Sequence, residues 1–405
     1  MATPGRLWEI ISSGSVPYLD RKSIQAVQYL VVDEADRMVE RGHFEELKQV
    51  IGLLNEQQQQ QPSVSRRQTF IFSATLTLQK KKSKKLKHRK KADSETPNLI
   101  DLLRLDQSRL LVVDLTEGGL RSTPSADRLQ EEIIHCLKEE KDVYLYYFLL
   151  EQQQQNSDPK SQNHKTIVFA NSIDCLRRLL NLLRFLGLAP LVVHSSMPQK
   201  RRLTAIERFT TNASSSSSSS SGQVLLATDV AARGLDIPAV SAVVHYQCPR
   251  SAEIYIHRSG RTARGQRASG RSLILCDPQE EAFFLRDFCR ILGKNANGKT
   301  DLAEYPINSK ALRRCKERVR LATACDVLEH GLRKERSEVS WFKEAARAAE
   351  MDDSEEEDKD DEEEFDAAVD HGGKSKGNSL VNQRKLKAYQ RQLSGLLKCS
   401  ILFPK

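Results

Sequence analysis

The sequence contains no long hydrophobic segment, no leader-like N terminus and no cysteine pair at the spacing of a zinc site. No apolar run reaches 18 residues, and no signal peptide precedes the first helical pattern. The eight cysteines are scattered, without a C-x-x-C pair or a Cys/His cluster. We therefore expect free thiols in a reducing compartment, the cytosol or the nucleus, and no membrane partner.

Charge is distributed unevenly along the 405 residues. The formal net charge is +9, but residues 350–366 (EMDDSEEEDKDDEEEFD) hold 13 acidic side chains and one lysine. Since this segment has a net charge of −12, the rest of the chain carries +21. That excess favours an acidic partner such as nucleic acid, although an ordinary basic surface explains the charge alone equally well.

Short apolar runs alternate with amphipathic helical patterns over most of the chain. The runs at residues 27–36 and 67–75 are rich in Val, Ile and Phe, which is typical of strands buried on both faces. The alternation predicts an α/β protein with a doubly wound parallel sheet and ligands at the carboxyl ends of the strands. Further candidate strands occupy residues 109–115, 131–137, 165–170, 190–194, 223–229, 241–247 and 271–276.

Two polar segments have the composition of a phosphate site. The first apolar run ends in Asp33 and Glu34, where one carboxylate can hold Mg²⁺ and its neighbour can orient the attacking water. The segment YIHRSGRTAR carries Arg258, Arg261 and Arg264 at a spacing of three, which suits a γ-phosphate. An acidic surface turn and a solvated basic helix face are the respective alternatives.

The segment LGKNANGKTDL matches the spacing G-x-x-x-x-G-K-[ST] of a phosphate-binding loop through Gly293, Gly298, Lys299 and Thr300. Such a loop works only between a strand and a helix, whereas this segment follows a helical pattern and runs quickly into a proline. The sequence therefore predicts a helix C-cap glycine and a polar loop here, not a nucleotide site.

Taken in order, the motifs DEAD, SAT, TIVFANS, ATDVAARGLDIP and HRSGRTAR resemble the DEAD-box family of ATP-dependent RNA helicases, in superfamily 2. The resemblance covers residues 1 to about 280, and TPGR and MPQKRR match two further family motifs. It implies tandem RecA-like domains that bind ATP with Mg²⁺ and bend a single RNA strand, or open a short duplex, through backbone contacts.

The resemblance also implies a role for individual residues. Asp33 and Glu34 would serve Mg²⁺ and the hydrolytic water, and Ser73 and Thr75 would couple the phosphate state to domain closure. Asp236 would contact the ribose, and Arg261 and Arg264 would contact the γ-phosphate. His257 and Arg258 would join the interdomain contacts. The residues that would line the RNA track are Thr3, Gly5, Arg6, Gln199, Arg202, Thr228 and Gly234.

On this basis the chain divides into five parts. They are a partial RecA-like ATP-binding domain at 1–118 with a basic insert at 79–91, a RecA-like helicase C-terminal domain at 119–290, a helical extension at 291–350, an acidic disordered linker at 351–378, and a basic amphipathic tail at 379–405. The insert suits RNA binding or nuclear localisation. No phosphate loop precedes Asp33, so the resemblance implies an N-terminally truncated chain, and it does not imply that this chain hydrolyses ATP by itself.

Finer details such as DEADRMVERGHFEEL look like the nucleolar branch of the family, which acts in assembly of the large ribosomal subunit. We therefore expect a nuclear, nucleolar protein whose partners include pre-ribosomal proteins. Two alternatives stay open: a non-catalytic RNA-binding or assembly fragment, and a DNA-directed helicase of the same superfamily. The letters DEAD, in place of DExH, argue by resemblance against the second.

Overall fold

The computed structural model describes residues 2–35, 45–60, 67–73, 107–113, 129–155, 165–211, 223–229, 240–263, 269–283, 295–296, 299–300, 302–350, 373–399 and 401. The chain divides into two compact units, Met1–Gly119 and Leu120–Lys405. Several predicted features lie outside the described residues, namely Thr75, Gly234, Asp236, Arg264, the basic insert at 79–91 and the acidic run to residue 366.

The first unit has three helices and a two-stranded parallel sheet in its described part. The elements are α1 (Pro4–Ser13), α2 (Arg21–Gln25), β1 (Tyr29–Val32), α3 (Glu45–Gln60) and β2 (Gln68–Ile71), with 3-10 turns at Pro17–Leu19 and Gln107–Arg109. The two strands pair in register from Tyr29↔Gln68 to Val32↔Ile71. Because side chains alternate along a strand, Leu30 packs toward α1, α2 and α3 while Val31 faces outward.

The second unit is built on a seven-stranded parallel sheet. Its elements up to residue 283 are β3 (Leu129–His135), α4 (Lys141–Gln155), β4 (Thr166–Ala170), α5 (Ile173–Phe185), β5 (Leu191–Val193), α6 (Gln199–Thr211), β6 (Val224–Thr228), β7 (Ala242–His245), α7 (Ala252–Ser259), β8 (Gly270–Cys276) and α8 (Pro278–Phe283), with a 3-10 turn at Lys138–Glu140. The later elements are β9 (Asn295–Ala296), β10 (Lys299–Thr300), β11 (Ala303–Glu304), α9 (Ser309–Glu350) and α10 (Gly373–Lys398). The strand order is β11-β3-β8-β7-β4-β6-β5.

Helices cover both faces of this sheet, which explains why its central strands β4, β6 and β7 are mostly apolar. In β4, Val168 points to the face covered by α4, α5, α9 and α10, whereas Phe169 points to the face covered by α6. The five residues of β4 and of β6 are all buried. Such two-sided burial is the reason that continuous Val, Ile and Leu runs predicted these strands correctly.

The C-terminal helix α10 packs on the second unit through Leu393, Leu396 and Leu397. Arg318 of α9 fixes its end, since Nη2 donates to the carbonyl oxygen of Leu396 at 2.7 Å and also to that of Cys399. A guanidinium suits the last carbonyls of a helix because these groups lack partners within the helix and carry partial negative charge. None of the helices in the described ranges is long and apolar enough to cross a membrane.

Three local predictions differ from the structure. The strand predicted at 109–115 is wrong for its described part: residue 109 ends a 3-10 turn and residues 110–113 form no strand. Leu111 is 85% exposed there, so an apolar run favours a strand locally but cannot supply the neighbour that a strand needs. The segment predicted as a helical extension contains the short strands β9, β10 and β11 before α9, and β11 joins the main sheet. Helix α10 begins at Gly373, inside the segment predicted as a disordered linker.

Candidate nucleotide and RNA site

Asp33, Glu34 and Ala35 of the DEAD motif occupy a sharp turn at the carboxyl end of β1. Asp33 Oδ1 accepts a hydrogen bond from the backbone N–H of Glu34 at 2.8 Å, and Glu34 has a φ of 49°, in the left-handed region. The turn is tied to the neighbouring strand because Phe72 N donates to Val32 O at 2.8 Å and Ala35 N donates to Phe72 O at 3.1 Å. The backbone of the turn is therefore tied to the sheet, and one carboxylate oxygen of Asp33 is fixed by the N–H of Glu34.

Phe72 and Ser73 follow β2, so Ser73 and Asp33 lie at the same end of the parallel pair β1–β2. Among the residues that the structure describes, no group of three or more His, Cys, Asp or Glu could hold a metal ion. Asp33 is exposed and offers one carboxylate. Such a site fits Mg²⁺, which keeps several waters and is bound by one or two carboxylates together with substrate phosphates.

The TPGR residues form the start of α1. Thr3 stands at the N-cap in extended conformation without a side-chain cap bond, and no atom outside its immediate chain neighbours lies within 4 Å of a Cβ built on Gly5. Arg6 pairs with Glu9 at 2.6 Å on the exposed surface. The first turn of a helix presents backbone N–H groups that suit phosphate oxygens, so this placement fits the predicted backbone contact with RNA.

In the second unit, Arg258 is the centre of a buried polar network. It is 2% exposed, and its Nε and Nη2 donate to the two carboxylate oxygens of Asp229 at 2.5 and 2.8 Å. Its Nη2 also donates to Asn171 Oδ1 at 2.7 Å, and its Nη1 donates to the carbonyl oxygen of Gln247 at 3.0 Å. Its guanidinium lies 5.3 Å from the ring centre of Phe169. These contacts favour a positioning role for Arg258.

The partners of Arg258 were not predicted as site residues. Asn171, Asp229 and Gln247 come directly or almost directly after β4, β6 and β7, at the carboxyl ends of three neighbouring strands. A polar residue just past a buried strand was the available signal. This signal alone could not identify Asn171, Asp229 and Gln247 as partners of Arg258, because many strands are followed by polar residues that only face solvent.

A second buried cluster anchors α7 next to this network. Ser259 Oγ lies 3.3 Å from His245 Nε2 and 3.1 Å from Ser272 Oγ, while the ring of Tyr255 stacks on His245 at 5.0 Å. The cluster joins α7 to β7 and β8. His257 lies half-buried on the same helix. Because both sides of α7 are fixed, the position of the turn that follows it is also fixed.

That turn carries Arg261, which is 8% exposed. Its backbone carbonyl accepts from Val240 N at 3.1 Å, and Thr262 Oγ1 donates to Val240 O at 2.5 Å. The chain then passes through Ala263, whose φ is 54°. Gly270 lies against the turn, since a Cβ built there would meet Thr262 Oγ1 at 2.2 Å. The arginine motif therefore rests on a closely packed backbone support.

Three further predicted RNA residues, Gln199, Arg202 and Thr228, lie on α6 and β6. Gln199 Oε1 accepts from Arg202 Nη1 at 3.0 Å, so the first turn of α6 brings these two residues together. Thr228 ends β6 and is 7% exposed, and within the described chain its Oγ1 is buried without a hydrogen-bond partner. A buried hydroxyl that lacks a protein partner fits a role in binding a ligand, because leaving such a group unpaired is unfavourable.

Two family models match the chain. The DEAD/DEAH box helicase model matches residues 1–83, and the helicase conserved C-terminal domain model matches residues 140–266. The chain belongs to the DEAD-box helicase family. Both matches contain the turns described above, since the first includes Asp33 and Ser73 and the second includes Thr228 and Arg261.

Curated relatives extend the similarity over most of the chain. The mouse (Mus musculus) ATP-dependent RNA helicase DDX24 is 41% identical over 402 residues, which cover 98% of this chain and 41% of the relative. The ATP-dependent RNA helicase mak5 of Aspergillus niger is 37% identical over 367 residues, covering 85% of this chain and 45% of the relative. The chain thus spans less than half the length of these relatives.

Solved structures show the same fold. Mss116p bound to ssRNA and AMP-PNP superposes with a TM-score of 0.55 at 24% identity, covering 85% of this chain and 60% of that one. Dbp5 of S. cerevisiae bound to RNA and ADP BeF3 gives a TM-score of 0.52 at 21% identity, covering 78% and 68%. The RecA-like α/β architecture predicted from the motifs is confirmed.

Proposed function

We propose that this chain supplies the hydrolytic carboxylates, the arginine motif and part of the RNA track of an ATP-dependent RNA helicase that remodels RNA or RNA–protein complexes. The observation that carries the proposal is the DEAD turn, where Asp33 and Glu34 are held at the end of β1 beside Ser73 at the end of β2. An acidic surface turn without a function would not need a left-handed Glu34 or the close tie to a second strand.

In this proposal Asp33 is the residue that holds Mg²⁺, and Glu34 orients the attacking water and accepts its proton. Bound Mg²⁺ neutralises phosphate charge during phosphoryl transfer. Arg261 and Arg264 bind the γ-phosphate oxygens, Asp236 binds the ribose, and Ser73 and Thr75 respond to the phosphate state. Arg258 and His257 act on this chemistry indirectly, because Arg258 donates its hydrogen bonds to Asn171, Asp229 and Gln247 within the second unit.

We further propose that RNA is bound through its backbone. The predicted contacts are Thr3, Gly5, Arg6, Gln199, Arg202, Thr228 and Gly234. The net charge of +21 outside residues 350–366 supports a polyanionic ligand. Binding of this kind carries little base specificity and weakens steeply with salt.

A role in large-ribosomal-subunit assembly, a nucleolar location and pre-ribosomal protein partners are the finer part of the proposal. Their support is the resemblance of the DEADRMVERGHFEEL segment to the nucleolar branch of the family. Recovery of pre-ribosomal RNA after crosslinking the protein in cells tests this part. Recovery dominated by mature messenger RNA would contradict it.

The activity is tested by ATP hydrolysis with and without single-stranded RNA, in the unmodified chain and in Glu34→Gln. We expect the substitution to abolish RNA-stimulated turnover while ATP-dependent RNA retention persists, because the amide keeps the shape of the turn but cannot accept a proton. Glu45→Gln is the matched control, since Glu45 is exposed in the same unit. Normal turnover in Glu34→Gln would remove Glu34 from its proposed role.

The second candidate function is a non-catalytic RNA-binding or assembly fragment. It is favoured by the second unit, whose seven-stranded sheet, buried polar networks and covering helices are complete within residues 120–405. RNA affinity that does not depend on ATP, together with no hydrolysis by the chain, would support this candidate over the first.

A further inference from the structure

A groove runs along the β5 edge of the large sheet, and none of the residues that line it is assigned to ATP or RNA. It has a volume of about 560 Å³, within the range of binding pockets. Its floor is aliphatic and is formed by Leu180 of α5, Pro190, Leu191 and Val192 at β5, and Met197 before α6. Such a floor can receive one or two large apolar side chains, and methionine adapts to their shape.

The rim of the groove is strongly basic. It consists of Arg184 from α5 and Lys200, Arg201 and Arg208 from α6, all of which are exposed. None of the described residues that line the groove is acidic. Cations that surround an apolar floor without local carboxylates attract negatively charged groups and reject positive ones.

The rim cations of α6 lie on a different side of the helix from its functional and core residues. Ile206 and Phe209 face the sheet, while Gln199 and Arg202 hydrogen-bond to each other at the first turn. At 100° per residue around the helix, the side chains of Arg201 and Arg208 point in almost the same direction, away from the face that carries Ile206 and Phe209. The groove is therefore separate from the predicted RNA track on the same helix.

Strand β5 provides a further recognition element. It is the last strand of the sheet order, and in the described part of the chain it pairs only with β6. An extended peptide can add to an edge strand through backbone hydrogen bonds while alternate side chains enter a neighbouring pocket. The aliphatic floor of the groove offers nothing to a phosphate backbone, which is the part of RNA that the predicted track contacts, but it can receive the apolar side chains of a peptide. The chemistry thus favours a peptide over RNA.

We propose that this groove is a docking site for a protein partner's extended acidic segment that carries one or two large apolar side chains. The carboxylates pair with the four rim cations, and the apolar side chains occupy the floor beside β5. This proposal goes beyond the helicase function and does not depend on it, because none of the groove residues is assigned to ATP or RNA.

Fluorescence anisotropy on the full chain tests the proposal with a labelled synthetic peptide in which glutamates flank a Leu-Leu-Phe core. Two comparison peptides replace the glutamates by glutamines or the apolar core by serines. The groove variant is Arg201→Glu with Arg208→Glu. Its matched control is Lys387→Glu with Arg391→Glu on the exposed side of α10, which changes the net charge equally.

We expect the groove variant to weaken peptide binding at least about tenfold and the α10 variant to change it less than about twofold, since paired charges must be adjacent to contribute fully. Met197→Gln, which leaves the charge unchanged, should also weaken binding. Both comparison peptides should bind poorly. RNA-stimulated ATP hydrolysis should be the same in the groove variant and the unmodified chain, which separates this test from the test of the helicase function.

Three results would overturn the proposal. Equal losses in the groove and α10 variants would show unspecific attraction between charges. Binding of oligouridylate RNA that falls in the groove variant alone, together with displacement of the peptide, would assign the groove to RNA. Peptide binding that emerges only after deletion of residues 350–366 would make this chain's own acidic segment the occupant.

Discussion

Arg258 and Asp229 form a two-bond ion pair at the carboxyl end of β6, with Nε–Oδ1 and Nη2–Oδ2 distances of 2.5 and 2.8 Å. The arginine side chain is buried and the carboxylate is largely buried. The pair therefore fixes α7 against the sheet, and with it the turn that carries Arg261. The structure thus gives Arg258 a supporting role for Arg261, which the sequence did not predict.

Replacing Arg258 by Lys should destabilise the second unit by about 2–4 kcal/mol, because an ammonium cannot make the paired bonds and leaves buried acceptors without partners. Hydrogen exchange of peptides from β6 and β7, measured against urea, reports the loss. The control is Arg177→Lys. Arg177 makes an exposed ion pair with Asp174 at 3.3 Å, and such a pair contributes little to the free energy of unfolding. Equal effects of the two substitutions would contradict the positioning role.

Gly270 should be irreplaceable for a steric reason. A Cβ at this position would lie 2.2 Å from Thr262 Oγ1 and 2.6 Å from the backbone nitrogen of Ala263. Gly270→Ala must therefore push the Arg261 turn away from β8, and overpacking of this kind costs about 1–3 kcal/mol. We expect faster hydrogen exchange at residues 258–263 and a weaker affinity for ATP.

Gly331→Ala is the matched control for Gly270→Ala. Gly331 lies in α9, and nothing lies within 4 Å of a Cβ built there. Alanine in an open helical position should stabilise the protein by about 0.5–1 kcal/mol, because glycine loses more backbone freedom on folding. If Gly270→Ala were as stable as the unmodified chain, the backbone at Thr262 and Ala263 would be able to move aside at little energetic cost, and the position of Arg261 would not be fixed by this packing.

The limits of the sequence prediction have physical causes at identifiable residues. Buried strands such as β4 and β6 are continuous apolar runs, and such runs can be read directly because both faces of the sheet are covered. Residues 110–113 have the same local pattern but form no strand, because pairing depends on a neighbour distant in sequence. Asn171 and Gln247 could not be assigned for the same reason: only the parallel order of β4, β6 and β7 brings them to Arg258.

The left-handed conformation of Glu34 predicts a conflict between stability and activity. A non-glycine residue at a φ of 49° is strained, whereas glycine adopts this conformation freely. Glu34→Gly should therefore unfold at a higher urea concentration than Glu34→Ala, with a difference of about 1 kcal/mol, while both lose ATP turnover. Trp8, which packs against the core of the first unit, provides the fluorescence signal. The opposite order of stability would show that the turn is not strained.

A buried ion cluster predicts how stability changes with pH. Lys141 Nζ lies 3.1 Å from Asp277 Oδ2 and also contacts Glu280, and its side chain is 3% exposed. Burial lowers the pKa of Lys141, but the hydrogen bonds and charges of Glu280 and Asp277 outweigh it and hold the pKa above its usual value. Burial likewise raises the pKa of Asp277, but backbone hydrogen bonds and Lys141 bring it below its usual value.

The signs of these two shifts set a plateau of stability. A raised lysine pKa stabilises the fold below the usual value of 10.5, and this contribution is lost as the pH rises through the folded pKa. A lowered aspartate pKa stabilises the fold above the usual value of 3.8, and this contribution is lost as the pH falls through the folded pKa. Between these limits the cluster should contribute a constant amount.

Lys141→Met should lower the free energy of unfolding and also change how it depends on pH. Removing the ammonium leaves two buried carboxylates without their partner, which should cost about 3–5 kcal/mol near pH 7. Since protonation then relieves the buried charge, the loss of stability in the variant relative to the unmodified protein should shrink between about pH 7 and pH 5. Urea unfolding at the two pH values measures this.

Lys316→Met, which removes an exposed pair with Glu140 at 2.8 Å, should show neither effect. A variant whose stability fell along with the unmodified protein on acidification would show that the cluster does not control this region of the pH profile.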